Sequence, residues 1–357
     1  MEIFDPNGDV LLILSYADTD TLRETQSPVS GPDVHESMPR PQGKIAAQPK
    51  ESSSSGEGTP PRMLVSSRHL MLVSVVFEKM LSTSNFAEGA MLHQTQKVEV
   101  HLPEDDHTAL TIMMNVIHGQ TRKVPQKINF GVLIAIAILV DKYQMAGAVE
   151  FMAHVWMDKL KPSKFKNDNS LLPWLFVSWV FRHDEYFRNT TMVLVKEGDS
   201  NLKSRAMNCV PRLPIPGRVI AAILETRVKF IAAVLSAIEA TIERHKNPIA
   251  VCNRNRYVEP QASNARTACN DMVLGSLIRS AMLAQLWPAP RSPYKGRNFV
   301  DIVAQVENFQ INSLCEQVGN RDDPKTRNTH GVKERLKTSS TSTRDNFHGL
   351  GLNEFMK

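Results

Sequence analysis

The softest donors in this 357-residue chain are its four cysteines, Cys209, Cys252, Cys269 and Cys315. No two lie closer than 17 positions, so there is no CxxC half-site for zinc or for disulfide exchange. His154 has Glu150 four positions before it, but the pattern is not HExxH and a structural histidine is expected. His93, His101 and His107 fall on a loop, a strand and a helix start, with no acid or thiol at ligand spacing, and read as surface residues. Glu104, Asp105 and Asp106 form a carboxylate run that general acid–base chemistry could use. A place in the first turn of a helix, where the macrodipole favours acids, accounts for them instead. Neither a GxSxG elbow nor a Gly-rich phosphate loop with Lys-Ser or Lys-Thr occurs. The expectation is a chain that is not an enzyme, with no catalytic residue, no cofactor and no metal site.

Composition sets the frame for the elements that would position any site. The chain is 42% hydrophobic and 22% charged, which fits a globular protein with some loose segments. Its net charge of +5 hides an asymmetry, because residues 1–200 carry 19 Lys+Arg against 24 Asp+Glu, whereas residues 201–357 carry 23 against 13. The basic half suits either a solvated surface or contact with nucleic acid. It contains no helix-turn-helix, finger or RNP-like strand, so nucleic acid is disfavoured as a partner. The N-terminus, MEIFDPNGDV, lacks a basic region before an apolar run. The longest apolar runs, Val132–Val140 and Leu171–Phe181, fall short of the about 20 residues a membrane span requires. An intracellular, cytoplasmic or nuclear protein with free thiols and no membrane contact is expected.

Residues 9–15, DVLLILS, read as a buried strand. Residues 17–61, rich in Pro, Ser, Gly and Glu, read as a disordered insertion between two strands of one sheet. Met63-Leu64-Val65 is a short strand that leads into a helix with Leu70, Val73, Phe77, Met80 and Leu81 on one face, and the small polar residues Ser82 to Asn85 break that helix. Lys97 to Leu102 alternates as a half-buried strand. Pro103 opens a helix bearing Leu110, Met113, Met114 and Ile117. Further helices are expected over about 129–143, capped by Asn129, and over Met145–Leu160. Beyond these come two short helices over 171–197 split near His183, then a strongly amphipathic one from Arg218 to Lys246. A loop at 249–265 separates this from helices over 268–286 and 298–318. From Gly319 on, the charged, Ser/Thr-rich sequence reads as disordered.

The run Val65, Leu70, Ser74, Phe77, Met80 and Leu81 resembles the core of the BTB/POZ family. So do Asp9-Val10, the PEDD stretch at 103–106, and Ile138-Leu139-Val140-Asp141-Lys142-Tyr143. With LLPWLFVSWVFRHDE at 171–185, the chain is similar to BTB-domain proteins of filamentous fungi, and the match covers about residues 8–160 less the insertion. It departs from the family at Ser66-Ser67, where a His or Lys pair is common.

The resemblance implies an α+β BTB/POZ-like module of short strands and clustered helical hairpins, followed by an all-helical C-terminal region. Residues 1–16 would carry its first strand, 17–61 the disordered insertion and 62–160 the rest of the module. Residues 165–318 would form the helical region and 319–357 a disordered tail. The implied function is protein–protein interaction: self-association as a homodimer, recruitment of a protein partner, or both. Some members dock a cullin scaffold of ubiquitin ligases through an apolar-x-Glu triplet after this helix, and Phe86-Ala87-Glu88 is similar in type and place. Phe86 and Glu88 are therefore the candidate partner-binding residues, the alternative being that Phe86 packs its loop onto its own helix. The other functional reading is a transcription-related adaptor that contacts nucleic acid through its basic half.

Overall fold

The computed structural model describes residues 1–15, 60–82, 86–247, 249, 251–252, 261–317 and 330–356. The expectation for residues 17–61 therefore falls outside the described residues, apart from Pro60 and Pro61. The architecture is α+β, and the chain divides into two compact units, Met1–Met152 and Ala153–Lys357.

In the first unit, strands β1 (Glu2–Ile3), β2 (Val10–Leu14), β3 (Arg62–Val65) and β4 (Val98–Leu102) form one sheet in the order β1-β3-β2-β4. β2 pairs antiparallel with β3, Val10 opposite Val65, and parallel with β4, Val10 opposite Val98. The sequence of each strand follows its position. Central β2 is an unbroken apolar run, whereas β4 buries Val98, Val100 and Leu102 and exposes Glu99 and His101.

The single helix expected between Val65 and the break at Ser82 is two helices, α1 (Ser67–Val73) and α2 (Val75–Ser82). Ser74 makes the break: its hydroxyl donates to the Tyr143 carbonyl at 2.6 Å and accepts from the Phe77 amide at 3.1 Å. A serine whose hydroxyl competes with the helical ladder ends it. Asp9 fixes the start of α1 by accepting from the Ser67 amide at 2.7 Å and the Ser67 hydroxyl at 2.6 Å. Phe77 is fully buried and stacks on Tyr143 with ring centroids 4.6 Å apart. Helix α3 (Ala87–Thr95), which periodicity does not announce, follows and buries only Gly89.

Helix α4 (His107–Ile117) starts later than Pro103. Asp106 is its cap and accepts from the Ala109 amide at 2.7 Å. Asp105 lies outside the helix, buried, where it takes the Lys142 ammonium at 2.6 Å and the Tyr143 hydroxyl. The carboxylate run thus supplies one cap and one ion pair whose carboxylate is buried, rather than three acids in a first turn. Helix α5 (Phe130–Tyr143) is capped by Asn129 as its sequence predicts. Helix α6 (Ala146–Leu160) runs from the first unit into the second.

The second unit is helical, with α7 (Leu171–Val180), α8 (Asp184–Glu197), α9 (Leu202–Met207), α10 (Gly217–Lys246), α11 (Gln261–Leu283), α12 (Phe299–Glu307), α13 (Leu314–Gln317) and α14 (Val332–Asp345). α10 presents Ile231, Val234, Leu235, Ile238 and Ile242 to a core shared with α11 and α12. α11 begins at Gln261, inside the expected loop, and the helix expected over 298–318 ends at Glu307. The chain then runs extended beside α11. Ser276 bonds both the amide and the carbonyl of Asn312, at 2.9 and 3.4 Å, and Ser280 does the same to Gln310, at 3.1 and 3.0 Å. Two hydroxyls one turn apart thus clip the strand-like segment along the helix and bury Phe309 and Ile311.

The expected disordered tail is corrected over its described part. α14 forms because Val332, Leu336 and Ser340 fall on one face and are buried, a stripe too narrow to register in a Ser/Thr-rich sequence. Beyond it the chain returns to the α7–α8 hairpin. The Leu350 amide donates to the Thr191 hydroxyl and the Leu352 amide to the Asp184 carboxylate, both at 2.9 Å, while Phe355 packs edge-on against Phe187 and Trp179. Gly349 has φ +90°, and a Cβ there would lie 2.0 Å from the Arg188 carbonyl oxygen. Gly349→Ala is therefore expected to cost at least about 1 kcal/mol. Hydrogen exchange should show faster exchange at Leu350 and Leu352, with the α10 amides unchanged.

Candidate functional site

Phe86 sits at the N-cap of α3 in extended backbone, with its side chain 50% exposed, and Glu88 lies in the first turn of the same helix. Leu72, Val75 and Met91 are further exposed apolar side chains of α1, α2 and α3. Single exposed hydrophobes are ordinary on a protein surface, but several within about twenty residues of chain concentrate apolar surface on one set of short helices. Glu88, two residues after Phe86, is partly buried.

Three titratable groups of the first unit, Tyr143, His118 and His107, have structural partners. Burial, followed by the Asp105 carboxylate, raises the Tyr143 phenol far above its usual range. His118 accepts from the Ser66 amide at Nε2, 3.1 Å, and donates from Nδ1 to the Met114 carbonyl, 2.9 Å. These partners require the neutral ring, and burial lowers its pKa in the same sense. His107 pairs with Glu2 at 2.7 Å, an acid that sequence spacing could not supply.

In the second unit His154 lies with its Nε2 3.0 Å from the Phe181 carbonyl oxygen. It meets His183 edge-on at 5.0 Å, and His183 stacks on Tyr186 at 4.1 Å. Burial first, then the neighbouring His154, lowers the His183 pKa. The groove between α11 and α12, lined among others by Arg279, Asp301 and Asn308, has its two serine hydroxyls committed to the 310–312 backbone.

The one convergence of soft donors among the described residues is the set that spacing keeps apart. Cys252 follows α10, Cys269 lies on α11, Cys315 on α13, and His330 stands two residues before α14. Their ligand atoms all lie within 4.8 Å of one another. Cys252 Sγ is 3.5 Å from Cys315 Sγ, Cys269 Sγ is 3.7 Å from Cys315 Sγ, and Cys269 Sγ is 3.2 Å from His330 Nε2. The three cysteines are buried and separate from the main core of the unit. Burial, then hydrogen bonds with Cys252 and Cys269, pushes the Cys315 thiol up to about 12.

The surrounding sequence explains the convergence. Asn270, next to Cys269, donates to the His245 carbonyl at 2.8 Å and accepts from the Val251 amide at 3.4 Å, so one amide side chain holds the end of α10 and the residue before Cys252. The serine clips on 310–312 run antiparallel to α11 and deliver α13 toward Cys269. His330 has φ 57° and Gly331 φ 67°, a left-handed turn that places the imidazole ahead of α14. Sequence reasoning missed this set because each donor comes from a different segment.

No described helix is long and apolar enough to cross a membrane. Comparison with protein-family models, curated proteins and solved structures finds no match to this chain.

Proposed function

We propose that this protein is an interaction module rather than an enzyme, and that its first unit is BTB/POZ-like and recruits a protein partner through the loop and helix that begin at Phe86. The observation that carries this reading is Phe86 itself: a large aromatic residue, half exposed, at a helix start with Glu88 two residues on. A cullin-type ubiquitin-ligase scaffold is the partner whose recognition suits this pair, the ring entering an apolar groove and the carboxylate sitting at its rim. The exposed Leu72, Val75 and Met91 side chains support a wider docking surface.

Affinity capture of the full chain is expected to retain a cullin. Phe86→Ala should lower the affinity at least about thirtyfold, the effect of removing an anchor worth about 2 kcal/mol. The melting temperature should hold, because the ring is not part of the core. Glu88→Ala should weaken binding less, and in a salt-dependent way. Failure of the unmutated chain to retain a cullin overturns the partner. A large drop in melting temperature for Phe86→Ala makes the ring a packing residue and overturns the docking surface.

A further inference from the structure

We propose that Cys252, Cys269, Cys315 and His330 bind one zinc ion, and that the ion holds together the end of α10, α11, α13 and the start of α14. The inference stands independently of the docking surface at Phe86. Tetrahedral zinc takes thiolates at about 2.3 Å and imidazole nitrogen at about 2.0–2.1 Å, which sets sulfur–sulfur edges near 3.8 Å and sulfur–nitrogen edges near 3.6 Å. The two sulfur–sulfur distances of 3.5 and 3.7 Å and the sulfur–nitrogen distance of 3.2 Å are close to those edges. All four donor atoms fit inside a 4.8 Å span, which leaves room for one ion at their centre. None of the sulfur pairs is at the about 2.05 Å of a disulfide.

The donor set selects the metal. Three thiolates and an imidazole are soft to intermediate ligands, which suit zinc and disfavour magnesium or calcium. Four protein ligands close the tetrahedron and leave no position for water or substrate, so the role is structural. As the ion enters, three thiol protons leave to solvent and the imidazole binds neutral, so the filled site carries one net negative charge. α14 begins at Val332, two residues after His330, so the positive end of its dipole lies near that charge. Arg335 reaches back over Gly331, its guanidinium 3.1 Å from where a Cβ would stand.

The elements joined here need such a tie. α13 has four residues, and among its described side chains α14 buries Val332, Leu336 and Ser340. Metal binding to a site assembled from four segments is coupled to the folding of those segments.

The test is elemental analysis of the reduced full chain produced in zinc-supplemented medium. About one zinc per chain is expected, retained in Cys209→Ser and lost in Cys269→Ser and in His330→Ala. Should these variants fail to fold, two measurements on the unmutated protein decide. Exchange of the ion for cobalt should give the visible bands of a tetrahedral thiolate site. Alkylation should modify Cys209 alone until a strong chelator is added, after which the other three react and hydrogen exchange accelerates over 314–317 and 330–345. Substoichiometric zinc in the unmutated chain overturns the proposal. So do unprotected thiols without chelator, a Cys252–Cys315 disulfide found by peptide mapping, or an octahedral cobalt spectrum.

Discussion

Arg227→Met is expected to destabilise the second unit by about 4 kcal/mol or more. Arg227 lies in the middle of α10 and is 1% exposed. Its guanidinium donates from Nε to the Gly198 carbonyl at 3.0 Å, from Nη1 to Pro293 at 2.9 Å, and from Nη2 to Tyr294 at 3.0 Å and to Arg297. Burial lowers its pKa, the distant Asp199 carboxylate opposing that shift. One planar fork therefore satisfies carbonyls at the end of α8 and along the α11–α12 connection. A buried acceptor stranded without a donor costs about 1–3 kcal/mol, so losing all four partners costs several even after water reaches the outer ones. Arg227→Lys should recover less than half, since a single ammonium cannot span carbonyls arranged for a fork. All four tryptophans, Trp156, Trp174, Trp179 and Trp287, fall in this unit. The urea midpoint of tryptophan fluorescence thus reads the change; a shift worth less than about 1 kcal/mol would mean that other donors replace the guanidinium.

Phe77→Ala should cost the first unit about 3–5 kcal/mol, the loss typical of emptying a large buried aromatic site. The ring has no exposed surface and stacks on Tyr143, whose carbonyl also receives the Ser74 hydroxyl that separates α1 from α2. Phe77→Leu, which keeps most of the volume, should cost about 1–2 kcal/mol. Thermal unfolding followed by circular dichroism should give two transitions, with only the one absent from tryptophan fluorescence moving. A shared shift would show that the two units unfold together.

Where a residue's partners are local or periodic, the sequence was readable. The alternation of Val98, Val100 and Leu102, the Asn129 cap and the apolar face of α10 each appear in the structure where the pattern puts them. What periodicity could not show depends on partners far away in the chain. Ser74 breaks a helix because its hydroxyl bonds a carbonyl 69 positions on. Asp105 leaves the helix for a lysine 37 positions on. The candidate site divides the same way: Phe86 and Glu88 form a contiguous motif, whereas Cys252, Cys269, Cys315 and His330 acquire a shared geometry only once four segments fold together.

The return of residues 350–352 to the α7–α8 hairpin has a consequence for biosynthesis. The Thr191 hydroxyl and the Asp184 carboxylate find their amide donors 159 and 168 positions later. At about 5–20 residues per second, translation needs on the order of 10–30 s to supply them. Through that interval Trp179 and Phe187 lack the ring of Phe355 that covers them in the finished protein, and the nascent hairpin presents an aromatic face of the kind chaperones bind.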